Sequence, residues 1–129
     1  MRNDSGFYQL IIALPRKRNL RVGRLGRFSF PAGYYVYTGR AKRGLSARIA
    51  RHMRKRKGIH WHIDYLLRYG RITKVNRYER RNLSECELNR RVERLSRSQA
   101  IAKGFGSSDC ECLTHLIYFE TKPKINPYS

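Results

Sequence analysis

Acidic residues are what this sequence lacks most. Nine Asp and Glu stand against 29 Lys and Arg in 129 residues, a formal net charge of +20. Self-repulsion at that density opposes compaction, so folding alone does not ask for it. A polyanionic partner that neutralises the surface does: nucleic acid first, an anionic membrane second. Cysteine is also scarce. Three residues, an odd number, imply no disulfide framework, and the expectation is a reduced, cytoplasmic protein. Long apolar runs are missing as well. The run Leu10 to Leu14 is too short for a secretory core or a membrane span; nucleic acid rather than a membrane is the expected partner. No repeat or low-complexity segment is present.

What is there suffices for one folded domain. Hydrophobic residues make up 40% and aromatics 12%, too many for a disordered basic tail. The whole chain, 1–129, reads as a single domain with its core in 6–119 and a loose tail over 121–129. Phe7 to Leu14 reads as a strand closed by Pro15. Leu20 to Val22 and Arg27 to Phe30 read as a hairpin turned at Gly23 and Gly26, and Tyr34 to Thr38 as a further strand. Short connections make these four strands mutually antiparallel. Leu45, Ile49 and Met53 recur at helical spacing over about Gly44 to Arg56. A second helix is expected from Trp61 to Tyr69 and a strand from Ile72 to Tyr78. A third helix follows over about Asn82 to Arg97, and a last strand from Leu113 to Glu120. Strands, then helices with late strands, define an α+β fold around a mainly antiparallel sheet.

Several residues could carry chemistry. Tyr8, Leu10 and Ile12 share one face of the first strand, and Tyr35 and Tyr37 one face of the later one. If those strands are neighbours, Tyr8 and Tyr37 meet on one surface, where a phenol can position or deprotonate a water. Ordinary strand packing explains the pattern equally. Arg48 and His52 lie four apart beside an apolar helical stripe, where an Arg fork grips phosphate and a His binds it or carries a proton. A solvated basic face is the alternative. Arg40, Lys42, Arg43, Arg51, Arg54, Lys55 and Lys57, with His60 and His62, read as phosphate contacts.

Among the few carboxylates, Glu85 precedes Leu88 by three on the core side of the third helix, while Glu87 lines up with Arg91 and Arg94. Either could hold a divalent metal, Glu85 first. Either could instead close a capping box, Asn82 to Glu85 or Ser84 to Glu87. His60, His62 and Asp64 form a polar cluster too small to specify a metal site. Cys110, Cys112 and His115 are soft donors that would want a fourth, such as Cys86 or Asp109. The single residue between the cysteines argues against zinc.

Taken together, Gly6-Phe7-Tyr8, Tyr37-Thr38-Gly39, Arg48-x-x-x-His52 and a later helical Glu resemble the GIY-YIG nuclease family. The closer likeness is to a standalone branch marked by runs like Phe30 to Gly39, His60 to Tyr65 and Gly104 to Cys110. The resemblance spans residues 6 to about 119. It implies a central antiparallel sheet flanked by helices, and phosphodiester hydrolysis with one divalent metal, Mg2+ or Mn2+. By position, Tyr8 and Tyr37 would help activate the attacking water. Arg48 would stabilise charge on the phosphate, His52 would assist as phosphate ligand or proton carrier, and Glu85 would hold the metal. Phe7 and Thr38 stand where Ile is usual, and the interval between the two motifs is long, which reads as the inserted hairpin Leu20 to Phe30. A DNA endonuclease acting in repair or on particular structures is the leading expectation, with DNA preferred to RNA and a protein partner able to supply specificity. A nucleic-acid-binding module without turnover is the second.

Overall fold

The first strand is apolar at successive rather than alternate positions, the pattern of a strand covered on both faces. In the computed structural model, which describes residues 4–54, 57–78, 84–107 and 112–125, that strand lies inside the sheet. In chain order the elements are β1 (Gly6–Leu14), β2 (Arg18–Val22), β3 (Gly26–Phe30), β4 (Gly33–Ala41) and α1 (Leu45–Met53), then α2 (His62–Leu67), β5 (Arg71–Tyr78), α3 (Glu85–Glu93) and β6 (Leu116–Phe119). The main sheet is antiparallel in the order β5-β1-β4-β6, flanked by helices, so the α+β expectation holds.

One side of the sheet carries Tyr8, Leu10, Ile12, Tyr35 and Tyr37, packed with Leu45 of α1 and Ile63 and Leu66 of α2. The other carries Ile11, Val36 and Ile117 under Val92 of α3. The strands' alternation of facing therefore assigns two helices to one side and the third to the other.

The four early strands do not form one sheet. β2 and β3 pair only with each other, from Arg18 opposite Phe30 to Val22 opposite Gly26. β1 and β4 pair directly along all nine residues, and their outer edges are taken by β5 and β6. With those two edges occupied the hairpin pairs with neither β1 nor β4, and buries Val22 and Phe30 in the main core.

Several boundaries also move: β4 runs past Thr38 to Ala41, β2 begins at Arg18 and α2 ends at Leu67. α1 stops at Met53, where Lys57 Nζ donates to the carbonyls of His52 (2.6 Å) and Arg54 (3.0 Å). Among the described residues α3 is shorter than its expected range: Ser84 Oγ accepts from the Glu87 N–H (3.0 Å) as its N-cap, and Arg97 beyond its end is left-handed at φ 67°. Of the two capping alternatives, Ser84 is thus the cap, and Asn82 lies outside the described residues. β6 starts at Leu116 rather than Leu113. The chain before it turns its bonds to the 102–107 loop, Gly104 N to Leu113 O (2.7 Å) and His115 N to Phe105 O (2.8 Å). The tail is held as far as Ile125, whose carbonyl accepts from Lys74 Nζ (3.2 Å) and Asn76 Nδ2 (3.5 Å). A single apolar side chain and a backbone acceptor leave no periodicity to read in advance.

Asp64 ties α1 to α2. Its carboxylate accepts from Arg51 (3.1 Å at Oδ1) and from the backbone N–H groups of His60 (2.8 Å) and Trp61 (2.9 Å). Burial alone would raise its pKa, but these donors outweigh it and hold the carboxyl below the usual range. Removing one partner of such a pair strands the other, so Asp64→Ala should cost about 3 kcal/mol in urea denaturation. A variant as stable as the parent would refute this role.

Candidate functional site

The β1–β4 register sets the site. Tyr8 lies opposite Gly39 and Leu10 opposite Tyr37, which brings the two tyrosine rings to 6.3 Å between centroids. A Cβ on Gly39 would lie 2.4 Å from Tyr8 Cζ and 2.5 Å from its Oη. The Tyr-Thr-Gly sequence therefore has a packing reason: the bare backbone at Gly39 is the bed for the Tyr8 ring.

Both tyrosines open onto a cleft of about 1000 Å³. Arg40, Lys42 and Arg43 line one part of it, Arg48, His60, Trp61 and His62 another, and Glu85 and Cys86 from the first turn of α3 a third. The four residues assigned to chemistry that reach this cleft directly are Tyr8, Tyr37, Arg48 and Glu85.

His52 stands behind Tyr8 rather than on the cleft wall. It is 2% exposed, and its Nε2 is 2.8 Å from Tyr8 Oη. That position keeps His52 off the cleft lining and beside the Tyr8 hydroxyl. Burial drives the His52 pKa from 6.5 down to about 4, against the pull of Asp64 and with help from Lys57, Arg51 and Arg48. Burial likewise pushes Tyr8 up to about 12, opposed by Arg48 and supported by Glu85 and Asp64. Tyr37 is raised well above the phenol range by burial, Tyr8 and Glu85. Near pH 7 the Tyr8–His52 pair is neutral, one donor to one acceptor, with His52 Nδ1 unpartnered among the described residues.

Arg48 is held in place. Its Nη1 donates to Arg40 O (2.9 Å), and its guanidinium lies 4.5 Å from the Trp61 ring centre. Arg51 lies at the same 4.5 Å from that ring. Trp61 thus takes two cations on its π system, an arrangement that orients both and that sequence reasoning missed. A lone tryptophan among basic residues was the available signal.

The basic residues divide. Arg40, Lys42, Arg43, His60 and His62 reach the cleft. Arg51 is engaged by Asp64 and the Gly58 carbonyl (2.9 Å), Lys57 caps α1, and Arg54 is exposed beyond the α1 end, away from the cleft lining. Lys55 lies outside the described residues. His62 Nδ1 accepts from the Gly106 N–H (2.9 Å), and burial lowers its pKa. Glu87 turns to Arg91 (3.9 Å) and does not line the cleft. Glu85 Oε2 makes a long contact, 3.5 Å, with Nδ1 of buried His115. Cys86 and Cys112 join His115 with donor atoms within 4.8 Å of one another, a group that could hold a metal. Cys110 lies outside the described residues. Among those residues, no helix is long and apolar enough to cross a membrane.

Fold and site together define a small α+β domain with a basic, tyrosine-walled cleft. Residues 7–128 match the family described as Domain of unknown function DUF123, and the chain belongs to that family. No curated protein and no solved structure matches it, and no GIY-YIG family model does.

Two predictions follow from the tyrosine pair. Gly39→Ala overpacks the Tyr8 ring and should lower stability by about 1–3 kcal/mol in chemical denaturation; an unchanged midpoint would show that the ring does not need that bed. His52 makes stability pH-dependent. The unfolded chain protonates it as pH falls through 6.5, the folded chain only near 4. Its contribution is complete above pH 6.5 and falls by about 3 kcal/mol as pH drops to 4. His52→Gln should flatten the denaturation profile across that window, and an unchanged slope would refute the assignment.

Proposed function

We propose that the protein is a metal-dependent nuclease of the GIY-YIG type, hydrolysing phosphodiester bonds in DNA. What supports this reading is one observation: Tyr8, Tyr37, Arg48 and Glu85, from four separate elements, line a single cleft whose other wall is Arg40, Lys42 and Arg43. A polyanion backbone fits that wall, and binding to it weakens steeply with salt.

Arg48, aligned by Trp61 and the Arg40 carbonyl, would bind the scissile phosphate and stabilise charge developing on its oxygens. Tyr8 Oη would take a proton from the attacking water and hand its own to His52 Nε2, 2.8 Å away. The imidazolium so formed is disfavoured by burial and favoured by Asp64, which suits a transient carrier better than a resting base. Tyr37, kept as a neutral phenol, would orient the water or a phosphate oxygen.

Glu85 is the carboxylate among the described residues lining the cleft, with its side chain 27% exposed. One carboxylate plus substrate phosphate oxygens suits Mg2+, which keeps most of its waters, so the residues fit such an ion. Bound there, Mg2+ or Mn2+ would polarise the phosphoryl group and steady the leaving oxygen.

The test is nicking of supercoiled plasmid in Mg2+ or Mn2+, with Glu85→Ala and Arg48→Ala proteins purified in parallel. Wild type should nick, and each variant should lose about a hundredfold or more in rate while still binding DNA. Equal nicking by the Glu85→Ala protein would overturn the assignment. Salt-sensitive binding with no nicking by the wild type would replace it with a binding module.

A further inference from the structure

A cluster of soft donors lies next to the cleft, and its reading does not depend on the nuclease proposal. Cys86, Cys112 and His115 come from three places: the first turn of α3, the loop after the 102–107 turn, and the residue before β6. Their donor atoms lie within 4.8 Å of one another. Tetrahedral zinc with Zn–S near 2.3 Å and Zn–N near 2.0 Å needs its ligand atoms about 3.6–3.8 Å apart, so a contraction of about 1 Å closes the site.

The histidine is built for such a role. It is buried, and its backbone is clamped by Phe105 O (2.8 Å) and by the Thr38 N–H on its own carbonyl (3.1 Å). Its two ring nitrogens face different groups. Nε2 is 4.0 Å from Cys86 Sγ, whereas Nδ1 is 3.5 Å from Glu85 Oε2. Zinc-binding histidines characteristically pair the nitrogen that is not a ligand with a carboxylate, which sets the tautomer and the ring's aim. Two thiolates and an imidazole select a soft ion over Mg2+. Two thiolate charges balance a divalent ion, and the α3 N-terminus favours the anionic sulfur of Cys86.

We propose that Cys86, Cys112 and His115 form a zinc site beside the cleft, with His115 Nε2 as the ligand nitrogen and Nδ1 turned toward Glu85. These donors fill three tetrahedral positions. Tight spacing between Cys110 and Cys112 argued against zinc only for a site built from that pair; the third helix supplies the sulfur that local spacing does not show. Zinc here would pin the start of α3, and with it Glu85, to the chain entering β6.

The full chain, expressed without a histidine tag and kept reduced, is analysed for metal by mass spectrometry. The metal-free form is then titrated with Co2+ and followed by absorbance. The expected result is about one zinc per chain. With Co2+, a thiolate-to-metal charge-transfer band and tetrahedral ligand-field bands should appear. Cys86→Ser and Cys112→Ser should each weaken Co2+ binding at least about tenfold and diminish the charge-transfer band. Glu85→Gln should keep that band while weakening affinity about tenfold. Reduced wild-type protein that carries no zinc and gives no charge-transfer band with Co2+ overturns the proposal. So does a Cys86–Cys112 disulfide that takes up no metal after reduction. Both decisive readings use the wild type and no cleavage assay, so they stand whether or not the variants fold and whether or not the protein nicks DNA.

Discussion

The direct pairing of β1 with β4, in the register that sets Tyr8 over Gly39, is the constraint on which the cleft depends. A shift by one residue would turn Tyr8 to the α3 side and put Phe7 and Gln9 where the two phenols now meet. With β5 and β6 on its two sides, the β1–β4 pair leaves the β2–β3 hairpin to stand apart. The register leaves α1 packed on the Tyr8 side, so that His52 arrives behind the phenol within hydrogen-bond reach. The Tyr8–His52 pair is buried and neutral, and the cost of charging either partner is what shifts both pKa values away from neutrality.

The charge of +20 is not spread evenly in its uses. Arg51 and Lys57 serve the fold, one by neutralising buried Asp64 and the other by ending α1. Arg48 is shared between fold and cleft, since the Trp61 ring and the Arg40 carbonyl that orient it also fix where its remaining donors point. Arg40, Lys42 and Arg43 carry the cleft's positive wall. A net charge alone does not distinguish these roles. Partners do, and most of the decisive partners are backbone carbonyls or a single aromatic ring.

Glu85 joins two regions. It is the carboxylate of the described cleft lining, and it also touches His115 from the other side. Ser84 takes the N-cap, which places Glu85 at the first helical residue and Glu87 two residues on, rotated about 200° away and facing Arg91.

Much was legible in the residues alone. Alternation assigned Tyr8, Leu10 and Ile12 to one face of their strand and Tyr35 and Tyr37 to one face of theirs, because strand geometry has a period of two that no tertiary contact alters; that the two faces coincide came from the β1–β4 pairing. Helical spacing located α1, and the placing of Glu85 on the core side of α3 followed from the same arithmetic. What spacing could not supply was long-range partnership: that the hairpin stands apart because both edges of the β1–β4 pair are occupied, that Asp64 is an internal tie for Arg51, or that Cys86 reaches Cys112 and His115. Such contacts join segments tens of residues apart, and only chain packing in three dimensions chooses among the partners that local periodicity leaves equivalent.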